Sequence, residues 1–304
     1  MTERLSVVIC THNPRDAYFT RVLAALEAQT MPRDAWELVV IDNASKEPLS
    51  ERYDLSWHPS ARFVVEPELG LTPARMRAID EAVAPLMLFV DDDNVLQPDY
   101  LQVAADIGDT HSFLGAWGAG ILDPEFESPP EPWAEPHLIQ LALRHYDQPH
   151  WSNDVSHWES TPVGAGMCIR TVIARLYREE LRTDPARARL DRKGDSLDGA
   201  GDLDMAYVSR KFGLGWGTFP ILSLLHLMPA FRISEDYLLR ITEAANASLV
   251  VLASRVGRPI PVRQNAAKRL VRGALTFARG GAVQLRFFRA ADKGVARGLR
   301  MLND

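Results

Sequence analysis

Along the first hundred residues, short apolar runs alternate with segments whose apolar positions recur every three or four residues. "LSVVIC" (5–10), "WELVVID" (36–42), "RFVVEP" (62–67) and "LMLFV" (86–90) are rich in Val, Ile and Leu, are closed by polar residues, and predict strands. "AYFTRVLAALEAQ" (17–29) spaces Val22, Leu23 and Leu26 along one helical face. "TPARMRAIDEAVA" (72–84) predicts a second helix, with Thr72 placed to cap its free amides and Pro73 suited to its first position. The order strand, helix, strand, strand, helix, strand predicts an α/β fold with a mostly parallel sheet and right-handed crossovers. The run 86–90 has no polar face, so it should be covered on both sides.

Farther along, Pro, Trp, Glu and His dominate residues 123–162, which predicts a long irregular excursion of the kind that often serves as a lid. "PVGAGMCIR" (162–170) returns to strand, with close backbone packing through Gly164 and Gly166. "GDLDMAYVSRKFG" (201–213) predicts a helix ended by Gly213. "LGWGTFPILSLLHLM" (214–228) reads as a strand pair or a strand and turn. No internal repeat is visible.

With 46% hydrophobic and 24% charged residues among 304, the composition is that of an ordinary soluble protein with a sizeable core. Cys10 and Cys168 are too few for a disulfide framework and lie in apolar surroundings, so buried structural thiols and a reducing, cytoplasmic setting are expected. No leader peptide and no apolar run of roughly 20 residues is seen, so a membrane span is not expected. The net charge of −6 conceals an asymmetry. Residues 255–304 hold twelve basic and two acidic side chains, so this segment carries +10 and the remainder −16. Its basic residues are interleaved with Leu and Phe, a pattern open to three readings: helices packed on their own domain, a segment resting at the inner face of an anionic membrane, or a nucleic-acid grip. The acidic body would repel phosphate backbone, so no nucleic-acid partner is expected.

Ligands of parallel sheets sit at the carboxyl ends of the strands. There this sequence places "THN" (11–13), "DNAS" (42–45), "EPELGL" (66–71) and "DDDN" (91–94). Asp91, Asp92 and Asp93 repel one another at the tip of a buried strand, which points to a divalent cation such as Mg2+ or Mn2+, with a solvated turn as the plainer reading. Strand alternation would aim Asp91 and Asp93 to one side and Asp92 to the other. "DDDNV" also fits the pattern of aspartate-nucleophile phosphatases with Asp91 as the attacking group, although that motif usually opens its domain and here ends the fourth strand. No phosphate-loop pattern exists in the chain.

Taken in order, "VVICTHNPR", "VVIDNAS", "ELGLTPARMRAI", "LFVDDDNVLQPDYL", "PVGAGMCIR" and "GAGDLDMAYVSRKFG" resemble family-2 glycosyltransferases of the glycosyltransferase-A fold over about residues 5 to 230. The resemblance implies a mostly parallel central sheet flanked by helices, and an inverting transfer of sugar from a nucleotide diphosphate sugar, usually with Mg2+ or Mn2+. It implies a saccharide or lipid-linked acceptor, as in bacterial polysaccharide, glycolipid or glycoconjugate synthesis. By the same resemblance Thr11 and Asn13 touch the nucleotide, Asp42 accepts from the base, and Arg75, in the first turn of its helix, holds the diphosphate with help from the helix dipole. Asp93 aligns with the metal ligand and Asp92 or Asp91 with the ribose contact, while His226 is either a further ligand or a core residue. Asp202 aligns with the base that takes the acceptor proton, and it could equally cap its helix. The family's Glu-Asp pair is Gly201-Asp202 here, which leaves a non-catalytic sugar-nucleotide-binding protein as the alternative. Asp204 is a weaker candidate at the acceptor site, and Trp133, Trp151 and Trp158 could stack on sugar rings. The expected division is a catalytic domain over 1–240, with a nucleotide-binding half at 1–122 and an acceptor-side half at 123–240, then a basic helical extension at 241–304.

Overall fold

The computed structural model describes residues 3–184, 187–263 and 265–302. Its first half is the predicted alternation: β1 (Leu5–Thr11), α1 (Asp16–Glu27), β2 (Trp36–Asn43), α2 (Leu49–Arg52), β3 (Ala61–Glu66), α3 (Leu71–Glu81) and β4 (Leu86–Val90). The strands lie in the order β3-β2-β1-β4, and every pairing among them is parallel. Every residue of β2 and β4 is buried, the outcome that uniform apolar runs demand in a sheet covered on both faces.

Beyond β4 the chain forms β5 (Asn94–Leu96), α4 (Tyr100–Thr110), β6 (Leu114–Phe126), β7 (Arg144–His145), β8 (His150–Ser152), β9 (Cys168–Arg170), α5 (Thr171–Thr183), α6 (Gly201–Tyr207) and β10 (Gly215–Met228). The sheet continues β4-β9-β6-β10-β5, with β7 beside β6 and β8 beside β10. β9 runs antiparallel to both β4 and β6, and β5 and β8 run antiparallel to β10. Residues 215–228, read from the sequence as two strands or a strand and turn, are one strand of 14 residues. Pro220 fits inside it where β6 comes close at Gly120: a Cβ there would stand 2.6 Å from the Pro220 nitrogen, so only glycine leaves room.

Helix α3 begins two residues earlier than Thr72 would set it. Its cap is Gly70, at φ 144° and ψ 151°, a conformation closed to L side chains, and no side chain caps it. Thr72 and Pro73 therefore occupy the second and third helical positions, where the absent proline N–H costs nothing because first-turn amides have no partner within the helix. Arg75 accordingly sits one full turn in, not in the first turn.

At the opposite end of the sheet a buried carboxylate ties four segments together. Glu37 is 1% exposed; its Oε1 accepts from the Ser6 hydroxyl at 2.5 Å and the Val83 N–H at 2.9 Å, and its Oε2 from Arg62 Nη1 at 2.6 Å. Ser6 Oγ in turn accepts from the Ala84 N–H at 3.0 Å. Both cysteines are free, and burial of Cys168 pushes its thiol well above the ordinary range, so it stays protonated as a structural side chain.

The chain divides into two compact units. One comprises Met1–Glu125, Leu143–Ala188 and Gly201–Leu227, and carries the sheet; the other comprises Phe126–Ala142, Arg189–Ala200 and Met228–Asp304. The second unit interleaves with the first along the sequence because 126–142, irregular in composition, is held by tertiary packing: His137 stacks on Phe287 with ring centres 3.4 Å apart and planes 10° apart. Its two long helices are α7 (Glu235–Val256) and α8 (Ala266–Met301). Gly281, at φ 67° and ψ −159°, breaks α8 into two limbs. The second limb packs on α7 so closely that a Cβ at Gly294 would stand 2.8 Å from that of Asn246, and one at Gly298 2.6 Å from the Ala247 carbonyl oxygen. No helix among the described residues is long and apolar enough to cross a membrane.

Replacing Glu37 with Ala strips acceptors from a hydroxyl, an amide and a guanidinium at once. Unfolding free energy in urea should fall by about 3 kcal/mol; an unchanged midpoint would show that this network does not hold the sheet end.

Candidate active site

Parallel register brings the strand tips together. Thr11 pairs with Asp42 across β1 and β2, and Asn43 with Glu66 across β2 and β3; Thr11, Asp42 and Asn43 are all buried. Asp42 Oδ1 accepts from the Ser45 N–H at 3.1 Å and Oδ2 from the Leu49 N–H at 3.0 Å, so its carboxylate shapes the loop after β2. Asn13 laces that loop to the one after β1: its N–H donates to Ser45 Oγ at 3.0 Å and its Oδ1 accepts from the Lys46 N–H at 2.9 Å. Asn13 and Ala44 are held in the left-handed region, at φ 49° and 53°, a local strain found most often at sites of function. No sequence pattern singled out Asn43. Its Nδ2 donates to the Glu66 and Glu68 carbonyls at 3.1 and 2.6 Å, and its Oδ1 accepts from the Gly70 N–H at 2.8 Å. It joins the tips of β2 and β3 to the start of α3.

The chain turns at Val90, so the expected alternation of the three aspartates does not apply. Asp92 accepts from the Thr11 hydroxyl. Asp93 faces β10, with its Oδ1 3.5 Å from His226 Nε2 and 3.0 Å from Asn94 Nδ2, which donates to it. Both Asp93 and His226 are buried, and His226 lies opposite Asn94 in the β5–β10 register. His226 thus meets a carboxylate rather than the leucines beside it in sequence. Asp91 is half-buried, and its N–H donates to Asn94 Oδ1 at 3.2 Å.

Arg75 is only 6% exposed, so it is no ordinary surface cation; its guanidinium carbon lies 6.0 Å over the Phe89 ring. Gly164 stands between Arg75 and Asp202. A Cβ there would meet Arg75 Nη2 at 2.9 Å and Asp202 Oδ2 at 3.4 Å, which puts the two charged groups within about 6 Å of each other. Asp202 Oδ2 accepts from the Gly164 N–H at 2.6 Å and Oδ1 from the Leu203 N–H at 2.9 Å. Asp202 is the second residue of α6 rather than the residue before it, so it does not cap the helix as the sequence suggested; its carboxylate is oriented by these two amides instead. Arg144 is a further cation near this carboxylate that no sequence pattern marked; burial pushes its guanidinium below the ordinary value, and the charge of Asp202 partly offsets that. Asp204 is almost wholly buried, its Oδ2 3.3 Å from Arg187 Nε. Trp151 is 63% exposed on β8 and tilts against Phe113, Trp158 is partly exposed in the 158–160 turn, and Trp133 belongs to the second unit, packed near Phe287.

Among the described residues, no three His, Cys, Asp or Glu side chains gather into a ready-made metal cage. Asp93 and His226 offer two donors side by side, a carboxylate and an imidazole. Such a pair fits a hard divalent cation that completes its coordination with phosphate oxygens and water.

Comparison with known proteins agrees with this architecture. The family model described as Glycosyl transferase family 2 matches residues 6–157, half of the chain, and the protein belongs to that family. Its curled, mostly parallel sheet flanked by helices is of the glycosyltransferase-A type. Among solved structures, TarS of S. aureus is similar at 13% identity and a TM-score of 0.48, over 95% of this chain and 55% of that one. A structure of S. aureus TarS 1-349 is similar at 15% identity and a TM-score of 0.46, over 99% of this chain and 90% of that one. The chain thus spans little more than half of the longer TarS chain. A search of the curated proteins finds no match.

Changing Asn43 to Ala leaves two carbonyls and one amide without their partner. Thermal and urea unfolding should both register a loss of about 2 kcal/mol; stability equal to that of the parent protein would mean that the three loops do not depend on this amide.

Proposed function

We propose that this protein is an inverting glycosyltransferase, moving a sugar from a nucleotide diphosphate sugar to the hydroxyl of a saccharide or lipid-linked acceptor. The observation that carries the reading is the Asp202 carboxylate, fixed by the amides of Gly164 and Leu203 beside the buried guanidinium of Arg75. Single-displacement transfer needs one base aimed at the acceptor hydroxyl and one region of positive charge facing the departing diphosphate. Asp202 supplies the base. Its two amide donors supply the orientation that a preceding glutamate would give in the family pattern, so the glycine at 201 is compatible with catalysis and the purely binding alternative loses its motive.

On this reading Thr11, Asn13 and Asp42 form the wall for the nucleoside, with Asp92 and Asp91 toward the ribose. Arg75 holds a phosphate as a planar, multi-donor cation. Asp93 and His226 would hold Mg2+ or Mn2+, which when bound supplies neutralising charge to the diphosphate. The reaction fits polysaccharide, glycolipid or glycoconjugate synthesis, and Trp151 and Trp158 offer exposed rings for sugar stacking.

The donor can be found by thermal shift across nucleotide sugars with Mn2+ present, since a ligand of the folded state raises the unfolding temperature. With that donor, Asp202→Asn should cut nucleoside diphosphate release by about 10²–10⁴-fold while donor affinity holds. Turnover that survives the substitution would remove Asp202 from the mechanism.

A further inference from the structure

In the second unit the two limbs of α8 differ in what they touch. Three cations of the second limb are taken up by their own unit: Arg286 Nη2 bonds Glu235 at 2.9 Å, Lys293 pairs with Glu243 at 2.8 Å, and Arg297 pairs with Asp198. Along the first limb, residues 266–280, Gly273 alone is buried. Of the eighteen large hydrophobic side chains exposed among the described residues, six fall between 260 and 277: Ile260, Val262, Leu270, Val271, Leu275 and Phe277. Val262 is 87% exposed and Leu270 75%. Arg258, Arg263, Lys268, Arg269, Arg272 and Arg279 are interleaved with them, and no acidic residue occurs from 258 to 280. A cleft of about 800 Å³ opens between the limbs, with Leu270, Phe277, Leu285 and Phe288 beside Arg289 and Arg300.

This limb meets the second one through Arg269, which with Arg263 pairs with Asp292, and through Gly273 beside Leu285 and Phe288. A short helix with so little burial is marginal in water, so its exposed apolar face is one to be covered. Charge decides by what. The same limb of a second copy would be repelled by like charge, and a nucleic acid would reward the cations while leaving Leu270, Val271 and Phe277 in water. A bilayer of anionic lipid offers phosphates to the cations and an acyl boundary to the apolar side chains. With +10 on residues 255–304 and −16 on the rest, such attraction is confined to this segment. We propose that residues 258–280 dock the protein on an anionic phospholipid surface, an inference that goes beyond the transferase reading and does not depend on it.

The test is cosedimentation of the full chain with vesicles of phosphatidylcholine alone and of phosphatidylcholine with about 30% phosphatidylglycerol, at low and high salt. Binding to the anionic vesicles alone, released by salt, is the expected result. Lys268→Glu with Arg272→Glu should weaken it by about 30-fold or more, and Leu270→Asp with Phe277→Asp should abolish it, with unfolding temperatures unchanged. Arg286→Gln, which alters a cation already paired with Glu235, should leave binding nearly intact. Failure to sediment with anionic vesicles, equal sedimentation with neutral ones, or variants that bind like the parent would overturn the proposal. So would an apolar variant that only splits an oligomer, which would assign this face to a second copy.

Discussion

Parallel strands that end on one line force their last polar side chains into a common small volume, and in this protein five of those side chains are carboxylates: Asp42, Glu66, Asp91, Asp92 and Asp93. Packed on one side they would repel too strongly to sit at the end of a buried sheet. The abrupt turn after Val90 relieves this by sending the three consecutive aspartates toward different partners. Asp92 takes the Thr11 hydroxyl, Asp93 meets His226 and Asn94, and Asp91 remains at the half-buried outer corner. Asp42 is engaged by the amides of its own loop. The edge holds because Asp42, Asp92 and Asp93 each have separate hydrogen-bond donors, and it stays electronegative as a whole, which suits a cation arriving with a diphosphate.

The antiparallel half of the sheet supplies what the parallel half lacks. β10 carries His226 across to Asp93, and the segment before β9 lays the Gly164 amide on Asp202 while leaving room for Arg75. A side chain at 164 would press on the guanidinium and the carboxylate together, so the glycine there is a matter of space. One backbone N–H thereby positions the proposed base, and the proposed phosphate-holding cation stands within direct electrostatic reach of it.

Much of this was legible in the sequence where the cause is local. The strands β1 to β4 could be read because each is a uniform apolar run with polar ends, and their parallel pairing followed from their alternation with helices, whereas the order β3-β2-β1-β4 was not legible. What could not be read depends on partners far along the chain. Pro220 looks like a break in β10 until Gly120, a hundred residues earlier, is seen to make room for it. Thr72 looks like a cap until Gly70 takes a conformation that Thr72 has no need of. Arg75 resembles any helix-surface cation, and its burial comes from the neighbouring strand and Gly164. Asn43 and Arg144 carry no motif at all. The basic tail raised a choice between packing on its own unit and facing a surface, and the kink at Gly281 separates a limb packed on α7 from one whose side chains are nearly all exposed.

The central claim is that the edge formed by Asp93 and His226 receives a divalent cation together with a nucleoside diphosphate. It is tested most directly by anomalous diffraction at the manganese edge from crystals grown with Mn2+ and the nucleoside diphosphate of the donor. The account predicts an anomalous peak in contact with Asp93, His226 and the diphosphate, with Arg75 on a phosphate oxygen. A diphosphate bound there at saturating Mn2+ without the ion, or an ion and diphosphate bound away from this edge, would contradict it.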